Sequence, residues 1–171
     1  MTDLETASQR LNAAILSIGA VKFGGGKILD KFYRVVSIDS CVKYGLHVDP
    51  NTIKWWSEQP PAARAILRES MNSTLDLKQA LTEFSDFIYT PSMEFWTFGI
   101  AFDVPILVNA FEAVGDRFFI DWWNYKDART IFDLQPKEDQ LQQRFDRKDT
   151  YHNALDDSIF QAENLMHILD I

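Results

Sequence analysis

Apolar and polar positions follow two different periods along this chain of 171 residues. Residues 14–23 (AILSIGAVKF) are mostly apolar and partly β-branched, which predicts a buried strand. The three glycines at 24–26 then permit a tight reversal into a second strand over residues 28–36. The first part of the chain therefore predicts an antiparallel hairpin.

Helical periodicity replaces this pattern from Asp49 onward. Asp49 can cap a helix with Pro50 at its first position, and Pro60-Pro61 ends that helix and begins another. Further helices are predicted over 75–88, 104–114 and about 127–132, with short strands at 94–98 and 122–125. A last helix carries one apolar stripe, formed by Leu155, Ile159, Ala162, Met166 and Leu169. Together these elements predict an α/β fold whose mixed sheet, an antiparallel hairpin plus parallel strands, is flanked by α-helices.

Composition favours an ordinary globular domain over a disulfide-linked, membrane-spanning or secreted protein. Hydrophobic residues make up 46% and charged residues 25%, as in ordinary globular domains, and no linker or repeat interrupts residues 1–171, so we expect one domain. The single cysteine excludes an internal disulfide. No apolar stretch approaches the roughly 20 residues that a membrane helix needs. Acids also stand where a signal peptide would be basic and apolar, so we expect a cytoplasmic protein.

The net charge of −8 argues against a protein that coats a duplex through many phosphate contacts. It is compatible with an enzyme that holds a few nucleotides, since metal-binding carboxylates are acidic and bound cations reverse the local field. Three basic residues, Arg144, Arg147 and Lys148, precede His152. They are either phosphate contacts or part of a solvated face, and the sequence favours neither.

Asp3 and Glu5 form a D-x-E pair at the start of the chain. In a strand, residues i and i+2 point to the same side, so both carboxylates could meet one cation. Acidic pairs with this spacing are common and usually solvated, so the pair alone is a weak indication of a metal site.

Asp103 follows the apolar segment EFWTFGIAF. One interpretation places its carboxylate near the interior, where a charge must be paired, hydrogen-bonded or metal-bound. The other, which the local pattern favours, makes Asp103 the cap of a helix beginning at Val104. The two roles are compatible.

The segment HNALDD combines a histidine with two aspartates at the start of the last helix. Asn153 is a good N-cap, and Asp156 at the third helical position completes an arrangement akin to a capping box. That would leave Asp157 available for chemistry, with His152 just outside the helix. Helical spacing alone does not decide between Asp156 and Asp157.

Taken in order, DLET, FD and HNALDD resemble the three motifs of the DnaQ-like 3′→5′ exonuclease superfamily, in its DEDDh branch. The segments TIKWWSEQPPAARA and YKDART are similar to a subgroup that contains phage exonuclease A and bacterial 3′→5′ exoribonucleases. The resemblance implies a ribonuclease H-like fold, four metal carboxylates and a histidine general base. On this chain the carboxylates are Asp3, Glu5, Asp103 and Asp157, and the base is His152.

This donor set suits phosphodiester hydrolysis. Four gathered carboxylates repel one another, and oxygen-only ligands favour two Mg²⁺ or Mn²⁺ ions per active site. Histidine, with an ordinary pKa of about 6.5, can accept a proton from the attacking water near neutral pH. A non-catalytic binding module is disfavoured because all five residues are present, and a two-carboxylate glycosidase explains neither the histidine nor the additional acids.

The resemblance also implies the substrate and its contacts. We expect 3′→5′ hydrolysis of single-stranded DNA to nucleoside 5′-monophosphates, with phage or prophage origin favoured. The alternative is an exoribonuclease acting on RNA ends or short oligoribonucleotides. Leu4 and Thr6 are expected to contact the terminal nucleotide, and Phe102 either contacts a base or, as the pattern favours, packs in the core. Two departures from the subgroup are Phe98, where relatives tend to carry asparagine, and the short segment before Asp3. The short segment predicts either a truncated first strand or a true start that lies upstream.

Overall fold

One five-stranded sheet organises the part of the chain that this computed structural model describes, residues 1–90, 93–137 and 152–171. The strand order is β3-β2-β1-β4-β5. The strands are β1 (Thr2–Thr6), β2 (Ile15–Gly24), β3 (Lys27–Val35), β4 (Phe95–Thr97) and β5 (Tyr125–Asp127).

The sheet is mixed, as the sequence predicts. Strands β1, β2 and β3 pair in antiparallel fashion, whereas β4 lies parallel to β1, and β5 lies parallel to β4. Gly25 and Gly26 both have positive φ, 59° and 71°, as tight two-residue hairpin turns require. The α/β class and the ribonuclease H-like arrangement are therefore confirmed.

Seven α-helices and one 3₁₀ turn surround the sheet within the described residues. The helices are α1 (Ile38–Lys43), α2 (Pro50–Glu58), α3 (Pro61–Asn72), α4 (Leu77–Ile88), α5 (Ile100–Ala113), α6 (Ala128–Asp133) and α7 (Ala154–Leu169). The 3₁₀ turn spans Trp122–Asn124. None of the described helices combines the length and the apolar character that crossing a membrane requires.

Helix boundaries were predicted best where a cap is local. The side chain of Asp49 accepts from the Asn51 amide at the start of α2, and Asn153 does the same for two amides of α7. Two expectations were wrong. Residues 122–124 form the 3₁₀ turn, so β5 begins only at Tyr125. Helix α5 starts at Ile100 after a Gly99 cap, so Asp103 lies inside its first turn and does not cap it.

Two apolar clusters hold the layers together. The larger one packs helices α1 to α5 against the sheet, with fully buried side chains such as Leu16, Trp56, Phe84 and Leu107. The smaller one consists of Met1, Val21, Ala128, Ala162 and Leu165, and it joins the edge of β1 and β2 to α6 and α7. This second cluster places the last helix beside the first strand.

Candidate active site

Strand β1 and helix α7 bring three predicted carboxylates together. Asp3 and Glu5 lie on β1, Asp157 lies on α7, and one oxygen from each falls within 4.8 Å of the others. Glu5 and Asp157 are buried, with 7% and 8% exposure. The i, i+2 spacing on β1 thus presents both of its acids to the same helix, as strand geometry dictates.

A glycine on β2 allows α7 to come this close. Gly19 pairs with Asp3 across the sheet, and a Cβ at Gly19 would overlap the backbone of Ala154 and Leu155. The hydroxyl of Ser158 also donates to the Gly19 carbonyl at 3.0 Å. The first turn of α7 is therefore held directly over the β2 residue beside Asp3, which brings Asp157 to the acids of β1.

Asp103 approaches the same group from α5. Asp103 is only 4% exposed, and burial raises the pKa of its carboxyl to about 7. The backbone amide of Leu4 and the charge of Arg129 act in the opposite direction. The interior interpretation of Asp103 is therefore correct, and its carboxyl lies next to β1.

Asp3 stands at the centre of the four acids. Burial raises its pKa well above the ordinary value, and the carboxylates of Asp103, Glu5 and Asp157 raise it further, in that order. Gln161 opposes this effect, because its side-chain nitrogen donates to Asp3 Oδ1 at 3.0 Å. Such crowding of carboxylate oxygens fits divalent cations such as Mg²⁺ or Mn²⁺, since a cation removes the repulsion that burial strengthens.

His152 is partly exposed and immediately precedes the Asn153 cap of α7. Its backbone is in the left-handed region, with φ 61°. Its ring makes edge-to-face contacts with Trp55 and Trp56 of α2, at centroid distances of 5.1 and 5.9 Å. Arg144, Arg147 and Lys148, the candidate phosphate contacts, lie outside the described residues.

A cavity of about 620 Å³ connects these side chains. All five predicted catalytic and metal residues line it, together with Leu4 and Phe102. Thr6 lines a neighbouring cavity of about 310 Å³ that shares Leu4, Glu5 and Phe102 with the first. Phe102 is 36% exposed and lines both cavities, so the expectation that it packs in the core was wrong. The Thr6 hydroxyl donates to the Ser8 carbonyl at 2.7 Å.

Two further residues of the cavity were missed by sequence reasoning. Gln161 follows Asp157 by four positions, a helical spacing that could have indicated a shared face. Arg129 lies over the ring of Phe98, 4.5 Å from its centroid, and donates to the Phe98 carbonyl at 3.1 Å. The ring and the carbonyl of Phe98 thus hold the Arg129 guanidinium at the cavity. Nothing in the local sequence around Arg129 indicates that contact.

The sequence is similar to those of known proteins. Residues 1–169 match the family model described as the 3′-5′ exoribonuclease Rv2179c-like domain. The chain is also 26% identical over 156 residues to an exodeoxyribonuclease of Enterobacteria phage T4, with 75% of this chain and 67% of the relative covered.

Proposed function

Because the chain belongs to the family of 3′-5′ exoribonuclease Rv2179c-like domains and is a 3′-5′ exonuclease, we propose that residues 1–171 form one exonuclease domain that hydrolyses single-stranded DNA from its 3′ end. The products are nucleoside 5′-monophosphates. The observation that carries this proposal is the meeting of Asp3, Glu5 and Asp157 within 4.8 Å, beside Asp103 and in one cavity with His152.

The four carboxylates are proposed to hold two divalent cations. Asp3, Glu5, Asp103 and Asp157 offer oxygen donors only, which suits Mg²⁺ or Mn²⁺ better than a structural zinc ion. Bound there, the ions would supply Lewis-acid chemistry that eases ionisation of the attacking water and stabilises charge on the leaving 3′ oxygen. Gln161 holds one oxygen of Asp3 in place by its hydrogen bond, which leaves the orientation of that carboxylate defined.

His152 is proposed to be the general base. A water oxygen attacks the terminal phosphorus, an imidazole nitrogen of His152 accepts the water proton, and the bond from phosphorus to the 3′ oxygen breaks. His152 lines the cavity and is partly exposed, which suits a group that exchanges its proton with solvent after each turnover. Leu4 and Phe102 are proposed to contact the terminal nucleotide from the cavity wall, and Thr6 from the adjoining cavity.

DNA is the first proposed substrate, on the basis of similarity to the phage exodeoxyribonuclease. RNA is the second candidate, and the description of the family as an exoribonuclease domain favours it. Strands of identical sequence with 3′-terminal DNA or RNA, each 5′-labelled, distinguish the two in single-turnover digestion. Faster shortening of the DNA strand supports the first proposal, and shortening of RNA alone refutes it.

Paired variants test the site itself. Asp157→Asn and His152→Ala are expected to lower the single-turnover rate by about 100-fold or more, because each removes a group that acts on the reacting atoms. Matched controls come from the same helix: Asp156→Asn, one position away, and His167→Ala, in the last turn, should stay within about threefold of the parent rate. Wild-type cleavage by His152→Ala would end its assignment as the base.

Metal dependence is tested by binding as well as by activity. Titration of the chelator-treated protein with Mn²⁺ in the presence of a nucleoside 5′-monophosphate should show two ions per chain, and Asp3→Asn should lose at least one of them. A stoichiometry of one ion in the presence of a nucleoside 5′-monophosphate would contradict the two-metal proposal.

A further inference from the structure

The ring of His152 contacts two tryptophans of α2 that also contact each other, so the three rings form one cluster. Trp55 and Trp56 lie edge-to-face at 5.0 Å with an interplanar angle of 75°, and the His152 ring meets both at 84°. Edge-to-face pairs with these centroid separations are favourable beyond simple burial, because the positive edge of one ring meets the negative face of another. The imidazole therefore has a preferred location against α2.

Helix α2 is in turn attached to the strand that carries the acids. The indole Nε1 of Trp56 donates to the Thr6 carbonyl at 2.9 Å, and the Asp49 amide donates to the Ala7 carbonyl at 2.9 Å. Both ends of α2 are thus hydrogen-bonded to the end of β1. Trp56 is 2% exposed, so its ring has little freedom to move.

The backbone of His152 makes such support necessary. A residue with a side chain and φ 61° adopts a conformation that is disfavoured relative to the right-handed region, and neighbouring contacts stabilise it. The Asn153 cap fixes the chain on the α7 side, where its side-chain oxygen accepts from the amides of Leu155 and Asp156. The two tryptophans contact the imidazole itself.

From these contacts we propose that Trp55 and Trp56 are positioning residues for His152, which hold its imidazole at a fixed place relative to Asp3 and Glu5. The inference rests on the proposed role of His152 as the general base. A hydrogen bond joins β1 to Trp56, and ring contacts join Trp56 and Trp55 to the imidazole. These contacts are separate from the close approach at Gly19 that positions Asp157. Trp55 is 41% exposed and can be shortened without opening the core, whereas Trp56 cannot.

Kinetics of a double-mutant cycle test the proposal. Trp55→Ala should lower kcat by about tenfold, because the loss of one aromatic contact can reduce the fraction of correctly placed imidazole by about that factor. KM should stay within about twofold of the wild-type value. Trp55→Phe, which keeps an aromatic ring, should recover most of that loss. In the His152→Ala background the same Trp55→Ala change should alter the residual kcat by less than about twofold, because the residue it positions is gone. Trp123→Ala, at an exposed indole outside the cavity lining, is the matched control and should leave kcat unchanged.

The results that would contradict the positioning role of Trp55 differ from those that would contradict the role of His152 as the base. An equal tenfold loss in both backgrounds, or a raised KM with unchanged kcat, would show that Trp55 acts on the substrate and overturn the positioning role while leaving the base intact. Full activity of His152→Ala would instead overturn the proposed function of that residue. Nuclear magnetic resonance of the full chain gives an independent measurement: Trp55→Ala should move the His152 ring signals, since the indole ring current acts on them, and unmoved signals would refute the contact.

Discussion

Replacing Asp103 with asparagine is expected to stabilise the metal-free protein while removing its hydrolytic activity. Asp103 is 4% exposed and its carboxyl lies beside Asp3, so its ionised form is unfavourable in the folded protein without a cation. Asparagine has nearly the same shape and no charge. The variant should therefore avoid the electrostatic penalty and lose the ability to bind metal.

The magnitude follows from the pKa of Asp103. Burial raises this pKa from the ordinary 3.8 to about 7, so the proton affinity of the carboxyl increases about 1000-fold, or by about three factors of ten. Each factor of ten in proton affinity corresponds to about 1.4 kcal/mol, so ionised Asp103 destabilises the fold by at most about 4 kcal/mol. Because the folded protein binds the Asp103 proton more tightly than the unfolded chain, the destabilisation by Asp103 is absent below pH 3.8 and grows as the pH rises towards 7. Above pH 7 the penalty is complete.

Urea unfolding with chelator present measures this effect. At pH 8 the free energy of unfolding of Asp103→Asn should exceed that of the wild type by about 2–4 kcal/mol, and near pH 5 the difference should shrink by more than half. Adding Mg²⁺ should stabilise the wild type more than the variant, because the ion binds the folded state. Asp86→Asn, at an exposed position of α4, is the matched control and should show neither effect.

A variant that is less stable than the wild type at pH 8 in chelator would refute this reasoning. Such a result would mean that the ionised carboxylate is favourable without metal, so that its hydrogen bond to the Leu4 amide outweighs burial.

Three other predictions concern α7 and its contacts. Gly19→Ala should destabilise the fold by about 1–3 kcal/mol and lower kcat by about 100-fold, since the new methyl group pushes the backbone of Ala154 away; urea unfolding and single-turnover rates measure both. Gln161→Leu should weaken Mn²⁺ binding by about tenfold in calorimetry, because Asp3 loses its hydrogen-bond partner, and unchanged affinity would contradict that role. Asn153→Ala should cost about 1 kcal/mol of stability through loss of the cap, and Asn153→Asp should restore it.

Local signals in the sequence predicted most of the framework. The hairpin depends on a mostly apolar, partly β-branched run and a glycine turn. The starts of α2 and α7 depend on Asp49 and Asn153, whose hydrogen bonds reach only two or three residues ahead. Short-range geometry of this kind is encoded in neighbouring residues. It also explains why the D-x-E pair could be assigned to one side of a strand before the structure was known.

Long-range features were predicted less well. The start of α5 was placed at Val104 because an aspartate commonly caps a helix, yet Gly99 fills that position and Asp103 is buried in the first turn. The role of Gly19 depends on an approach by α7, more than 130 residues later in the chain, and a glycine within a strand does not by itself indicate such a contact. The choice between Asp156 and Asp157 needed the family resemblance, because both lie near His152 on the same helix.

The position of α7 has a consequence for how the protein matures. Its hydrogen bonds to the first strands, from Ser158 to Gly19 and from Gln161 to Asp3, join residues 139 and 158 positions apart in sequence. During synthesis, the hairpin and helices α1 to α6 all precede α7, because they lie earlier in the chain. Asp157 can therefore meet Asp3 and Glu5 only after α7 has been synthesised, so we expect a chain that is cut before Ala154 to lack this cluster of carboxylates.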